Sequence, residues 1–301
     1  MRIGPGVTQG HLRMSVARSM ILALAALTCM VLLSSCKTVS QATAAAKQLA
    51  GTASELSSYY SEMSTEVDET IALNEVQQAV FDVPFPDNDR AVLIDIRSEL
   101  GKRATMARSL SKLASAYANL AGSTAPSDAS TAASKLGNEL QAVGAISKTS
   151  SVPTELSDAA KIVLEFAQTR ELKTGAKAIR QTVIAVRQVY DREKPECESL
   201  CKTRITLAAS LAKKLVDKDQ VDLNSVLAPA LKPFDFSPML RPGGSPREYK
   251  DLAKIEIDEL ASEQAAASVQ SAESISNLLH AADQNLALVV SGKPSGKAAA
   301  Q

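Results

Sequence analysis

The fold is decided by residues 39–67, which read VSQATAAAKQLAGTASELSSYYSEMSTEV. Apolar or small residues recur here at alternating steps of three and four, at Val39, Ala42, Ala46, Leu49, Ala53, Leu56, Tyr60, Met63 and Val67. Such steps bring side chains onto one face of an α-helix, as in the seam of a coiled coil. We therefore predict a first helix over about residues 38–80, packed through this face against other helices.

The segment Val83-Pro84-Phe85-Pro86-Asp87 ends this helix in the prediction. Each proline lacks an amide donor and biases the residue before it away from the helical conformation. Asp87 or Asn88 can cap a second helix. The predicted seam of that second helix consists of Leu93, Ile96, Leu100, Ala107, Leu110, Leu113, Tyr117 and Leu120.

Four further helices are predicted, over about residues 128–147, 153–192, 197–216 and 247–290, with a short helical piece at 221–227. Pro195 is expected to separate the fourth helix from the fifth. The fourth seam consists of Leu172, Ala176, Ile179, Val183, Val186 and Tyr190, and the last of Leu252, Leu260, Ala267, Ile275, Leu278, Ala282, Leu286 and Val289. The pattern predicts an all-α fold, an elongated up-and-down bundle of about six long helices with proline-broken loops.

Composition agrees with helices packed through small side chains. The chain has no tryptophan and only 3% aromatic residues, whereas a sheet protein of this length would carry more aromatic and β-branched residues. The formal net charge of the whole chain is zero, which gives no indication of a nucleic acid partner.

The N-terminal segment is typical of export. An apolar stretch of about 14 residues, Met20 to Leu33, follows Arg13 and Arg18. Its length suits the apolar region of a signal peptide and is too short to span a bilayer as a helix.

The sequence Leu33-Ser34-Ser35-Cys36 directly after this stretch resembles the lipobox of bacterial lipoproteins. The resemblance implies that residues 1–35 are a lipoprotein signal peptide, with translation starting either at Met1 or at Met14, and that Cys36 is acylated. Two or three acyl chains would anchor the chain stably. Lys37 follows the cysteine instead of an aspartate, which by the same resemblance points to the outer membrane, facing the periplasm. The alternatives are an ordinary secreted protein cleaved near Cys36 or an uncleaved signal anchor.

By this division residues 36–290 form the helical bundle domain and residues 291–301 a flexible tail. Cys197 and Cys201 lie four residues apart in an oxidising compartment, and a disulfide between them is the favoured interpretation. Two free thiols or a bridge between chains are the alternatives. No metal site is expected, because the mature chain offers only His280 as a further ligand of the kind zinc prefers.

No catalytic constellation is recognisable. His280 is expected to be a surface or half-buried residue, since no nucleophile-elbow pattern accompanies a serine. Asp95 and Glu99 fit a solvated helix face better than a pair of glycosidase carboxylates. We therefore expect no enzymatic activity and no cofactor.

Four of the five phenylalanines lie in or beside two proline-containing loops. In an alternating bundle both loops fall at the end far from the N-terminal anchor. We predict one apolar patch there, a candidate partner-contact surface formed by Phe81, Phe85, Phe234, Phe236, Met239 and Leu240. The alternative is that these side chains only close the end of the bundle.

The expected function is that of a lipid-anchored helical lipoprotein of the cell envelope, with a structural or protein-interaction role. Its partners would be the membrane, through Cys36, and an envelope protein. Two other functions stay open, a carrier of a small apolar ligand inside the bundle and a membrane-active helical protein.

Overall fold

The computed structural model describes residues 9–121, 131–132, 135–139, 172–220 and 247–292, with side chains from Val39 onward except those of Leu120, Ala121 and Leu172. These residues form four long helices, α1 (Gln9–Phe81), α2 (Asp87–Ala121), α3 (Leu172–Asp217) and α4 (Arg247–Ser291). The prediction of an all-α fold is confirmed. Of the predicted third helix, residues 131–132 and 135–139 are described; they are helical, and Leu136 is buried in the core.

The hairpin of α1 and α2 forms as predicted. Asp82 takes a left-handed conformation with φ of 54°, and α2 begins after Pro86, whose carbonyl accepts a hydrogen bond from the Asp89 amide at 3.0 Å. The α1 helix is longer than predicted, because it begins at Gln9 and runs unbroken through the apolar stretch. Within the described residues, no helix carries an apolar segment long enough to cross a membrane.

The predicted break at Pro195 is wrong. Pro195 lies inside α3, so the predicted fourth and fifth helices are, over residues 172–217, one helix. An interior proline costs about 3 kcal/mol because a hydrogen bond is lost and its ring crowds the preceding turn. Buried residues on both sides of it, from Val186 and Tyr190 to Cys197 and Cys201, pack in the same core and offset that cost.

The predicted seam of the last helix is correct only in its second half. Ile275, Ala282, Leu286 and Val289 are buried. In the first half, Leu252 and Leu260 are 53% and 38% exposed, and the buried positions are instead Ala253 and Ile257, which pack on Val216 of α3. These two residues pack on α3, and Leu252 and Leu260 lie outside that contact.

Ion pairs fix the directions of the helices. Glu75 with Arg90 and Asp68 with Arg97 show that α2 runs antiparallel to α1. Lys254 with Asp217 and Arg180 with Asp283 show the same for α4 and α3. Later residues of α3 contact later residues of α1, so these two helices are parallel. The up-and-down arrangement is therefore confirmed among these four helices.

The two hairpins meet along α1, which packs against all three other helices, whereas α2 and α3 approach each other at few positions. The seam predicted for α1 is buried from Ala42 to Val67, as is that of α3 from Ala176 to Tyr190. We call the end of the bundle near Val39 the proximal end and the end near Phe81 the distal end. The core therefore lies along α1, where the hairpin of α1 and α2 packs against the hairpin of α3 and α4.

Candidate functional site

A partly buried polar junction joins three helices near the middle of the bundle. The Tyr60 hydroxyl of α1 donates to one oxygen of Glu193 of α3 at 3.1 Å, and the Arg103 guanidinium of α2 binds the other oxygen at 2.6 Å. Arg103 also holds Glu99, at 3.0 Å. Burial opposes the charged form of Arg103, but the hydrogen bond and charge of Glu193 outweigh it and raise the pKa of Arg103. Burial, with the adjacent Glu193, raises the pKa of Tyr60.

A cleft of about 430 Å³ opens between α2 and α3 beside this junction. Val92, Ile96, Leu100 and Leu200 supply its apolar lining. Its charged lining residues are the carboxylates of Asp95, Glu99, Glu193 and Glu196 and the guanidinium of Arg103. Arg103 already binds two of those carboxylates. The lining of the cleft therefore carries more negative than positive charge.

Exposed large apolar side chains are concentrated on the distal side of the junction. Within the described part of the chain they are Val76, Val80, Val92, Ile94, Ile96, Tyr249, Leu252, Ile255, Leu260 and Val269. In α1 they follow Tyr60, and in α2 they precede Arg103. In α4 they precede Ala272, whose carbonyl accepts a hydrogen bond from the Tyr190 hydroxyl at 2.7 Å. One half of the bundle therefore covers its apolar residues less completely than the other half.

The candidate contact residues at the distal end are only partly described. The ring of Phe81 lies beneath the ammonium groups of Lys214 and Lys218, 5.4 and 4.5 Å from its centroid, and Phe81 and Phe85 are both half-buried. This contact places the ends of α1 and α3 at the same end of the bundle. Phe234, Phe236, Met239 and Leu240 lie outside the described residues, so the apolar patch stays a prediction.

Cys197 and Cys201 are both free and buried, and the favoured disulfide is absent from this structure. They lie one turn apart on continuous α3, and each thiol faces α1. The Cys201 thiol donates to the Met63 sulfur at 3.4 Å, and Cys197 lies beside Tyr59. Burial raises the pKa of Cys197 to about 12 and that of Cys201 to about 11. Whether the two cysteines form a disulfide, remain free or bridge two chains stays a prediction.

The residues considered for catalysis occupy structural positions. His280 is exposed, with one ring nitrogen 3.1 Å from Arg187 and the other 2.8 Å from Gln284, so neither nitrogen faces a serine hydroxyl. Glu99 pairs with Lys102 and Arg103 of its own helix, and both Asp95 and Glu99 line the cleft between α2 and α3. In the described residues, no group of three or more histidine, cysteine, aspartate or glutamate side chains could hold a metal ion.

Cys36 lies within the backbone of α1, but its side chain is outside the described part of the structure. Its acylation therefore stays a prediction from the sequence. Comparison with known proteins finds no matching family model, no matching curated protein and no matching solved structure.

Proposed function

We propose that this chain is a lipid-anchored protein of the bacterial cell envelope whose helical bundle binds another protein and catalyses no reaction. The observation that carries the proposal is the concentration of exposed large apolar side chains on the distal side of the Tyr60–Glu193 junction. Clustered exposed apolar area on a folded protein usually marks a contact site.

The cleft between α2 and α3 supports the same role. Its apolar residues line a cleft between two helices, and such a groove can accept an amphipathic helix. Its surplus of carboxylates, from Asp95, Glu99, Glu193 and Glu196, favours a partner helix flanked by lysine or arginine. Such a partner would reach the apolar lining through Val92 and Ile96, which are both exposed.

The lipobox resemblance supplies the location. Acylated Cys36 would attach the chain to the outer membrane, facing the periplasm. The α1 helix continues from this position to Phe81 without a break. At 1.5 Å per residue, that segment would hold the distal side up to about 65 Å from the lipid anchor. The exposed apolar side chains would then face partners well away from the bilayer surface.

Chemical crosslinking in native membranes, followed by capture of the acylated chain, tests the proposal. We expect a discrete protein partner, with yield reduced for Ile96→Ser and Leu252→Ser, which change side chains that are already exposed and leave the fold intact. Cys36→Ala is the control for anchoring and should abolish both membrane attachment and crosslinking. A bait that returns only itself, or a partner retained by both serine variants, would contradict the proposal.

A further inference from the structure

We propose that the partner helix has oppositely charged ends, a basic end that lies in the cleft between α2 and α3 and an acidic end that lies farther along α3, at Lys202 and Lys214. The inference rests on the proposed function, because it concerns the same partner helix. It adds the charge of the other end of that helix and the orientation of the helix on the bundle. The observation that carries it is a second cleft, which adjoins the first on α3 and is lined by the opposite charge.

The second cleft has a volume of about 510 Å³ and lies between α3 and the part of α1 near Phe81. We call it the distal cleft, and we call the cleft between α2 and α3 the junction cleft. Among the described residues, the distal cleft is lined by the ammonium groups of Lys202 and Lys214 and by no carboxylate. The junction cleft carries a surplus of carboxylates. The two clefts therefore attract groups of opposite charge.

One face of α3 runs through both clefts. Leu200 lines the junction cleft, and Thr203, less than one turn later, lines the distal cleft. Steps of three and four place residues on one face of a helix, and such steps connect Glu196, Leu200, Thr203, Leu207, Ser210 and Lys214. This face measures about 27 Å from Glu196 to Lys214 at 1.5 Å per residue. A partner helix of about five turns is therefore long enough to contact both clefts at once.

Gln77 of α1 gives a second reason to expect a partner group in the distal cleft. This residue lines the cleft and is only 6% exposed. Within the described residues, its side-chain amide has no hydrogen-bond partner. Buried polar groups are nearly always hydrogen-bonded, so an unpaired one calls for an explanation. A carboxylate of the partner helix would accept a hydrogen bond from this amide beside the two lysines.

Site-specific photocrosslinking in native membranes tests the inference on the full chain. A photoreactive amino acid replaces Ile96 in the junction cleft, or Thr203 or Thr206 in the distal cleft, and all three positions are exposed. Mass spectrometry then identifies the attached peptide. We expect all three positions to reach one segment of one protein. That segment should carry lysine or arginine near its attachment to position 96, and aspartate or glutamate near its attachments to positions 203 and 206.

The double variant Lys202→Gln and Lys214→Gln tests the charges. With the photoreactive residue at position 96, this variant should lower the crosslinking yield at least about threefold, because two partly exposed ion pairs are lost together. The matched control is Lys173→Gln with Lys177→Gln, which removes the same charge from two exposed lysines at the other end of α3. The control should keep the yield of the parent, and both double variants should keep its helical circular dichroism.

The outcomes separate this inference from the proposed function. If none of the three positions yields a crosslinked protein, both are wrong. If position 96 captures a partner but the yield is the same after replacement of Lys202 and Lys214, the inference is overturned and the partner-binding role remains. A captured segment without acidic residues near positions 203 and 206, or different proteins captured by the two clefts, would also overturn the inference alone.

Discussion

Replacing Glu193 with glutamine should destabilise the bundle far more than the same exchange at a surface ion pair. Glu193 lies on α3, and its carboxylate binds both Tyr60 of α1 and Arg103 of α2. The side chains of Arg103 and Glu193 are only 15% and 17% exposed. Removing this charge leaves a mostly desolvated guanidinium with Glu99 as its remaining carboxylate.

The magnitude follows from these contacts. Breaking a fully buried ion pair costs about 3–5 kcal/mol. Arg103 keeps Glu99, and the amide oxygen of glutamine can still accept one hydrogen bond, so we expect a loss of about 2 kcal/mol, the middle of the range for hydrogen bonds to charged groups. For a folded unit of about this size, such a loss lowers the melting temperature by roughly 4–8 °C.

The control is Asp68→Asn, which makes the same chemical change beside Arg97. That pair is 2.7 Å long, but its side chains are 52% and 45% exposed. Exposed pairs contribute at most about 1 kcal/mol. Urea denaturation followed by circular dichroism measures both variants. A loss for Asp68→Asn equal to or larger than that for Glu193→Gln would refute the assignment of the Tyr60–Arg103–Glu193 junction as the buried connection between the hairpins.

Three further perturbations follow from the same contacts. Pro195→Ala restores an amide donor inside α3 and should raise the free energy of unfolding by about 1–3 kcal/mol, measured by urea denaturation; a destabilised variant would contradict a continuous helix. Tyr190→Phe removes the buried hydrogen bond to the Ala272 carbonyl and should cost about 1 kcal/mol in the same assay, and an unchanged midpoint would show that this bond contributes nothing. Folding raises the pKa of Cys197 and Cys201 from an ordinary value of 9.0 to about 12 and about 11, so it favours the protonated thiols. Their contribution to stability is therefore complete below pH 9 and declines as the pH rises towards 11–12, where the unfolded chain binds fewer protons. Replacing both cysteines with alanine should make the decline from pH 9 to 10 shallower, and an equally steep decline in that variant would contradict the assignment.

The sequence predicts the seams of α1 and α3 correctly because these faces are buried along most of their length. From Ala42 to Val67 every predicted seam position is buried. Periodicity reports burial most reliably where a helix packs against several neighbours, as α1 does. In the first half of α4 the buried residues that pack on α3 form a narrow stripe, and apolar residues such as Leu252 remain outside it.

One error has its cause in tertiary structure. Pro195 carries a strong local signal for a break, but burial on both sides of it keeps α3 continuous. The spacing of Cys197 and Cys201 remains compatible with a disulfide, and in this structure the two thiols contact Met63 and Tyr59 of α1. The local sequence pattern shows neither the burial around Pro195 nor the contacts of the two thiols with another helix.

The candidate site was predictable only in part. The contact of Phe81 with Lys218 places the ends of α1 and α3 together, while the apolar patch predicted from the phenylalanines stays a prediction. The junction of Tyr60, Arg103 and Glu193 was not predictable, since tyrosine, arginine and glutamate at positions 60, 103 and 193 share no local motif. The cleft beside it depends on how far α2 stands from α3, which a single sequence does not encode in any local pattern.

Site-specific photocrosslinking in living cells tests the central claim most directly. A photoreactive amino acid is placed at Ile96 or Leu252 on the distal side and at Lys47 or Lys112 on the proximal side, all of which are exposed. We expect a discrete crosslinked protein from both distal positions and none from the proximal positions. Equal crosslinking from all four positions, or crosslinking from the proximal positions alone, would contradict a partner-binding distal surface.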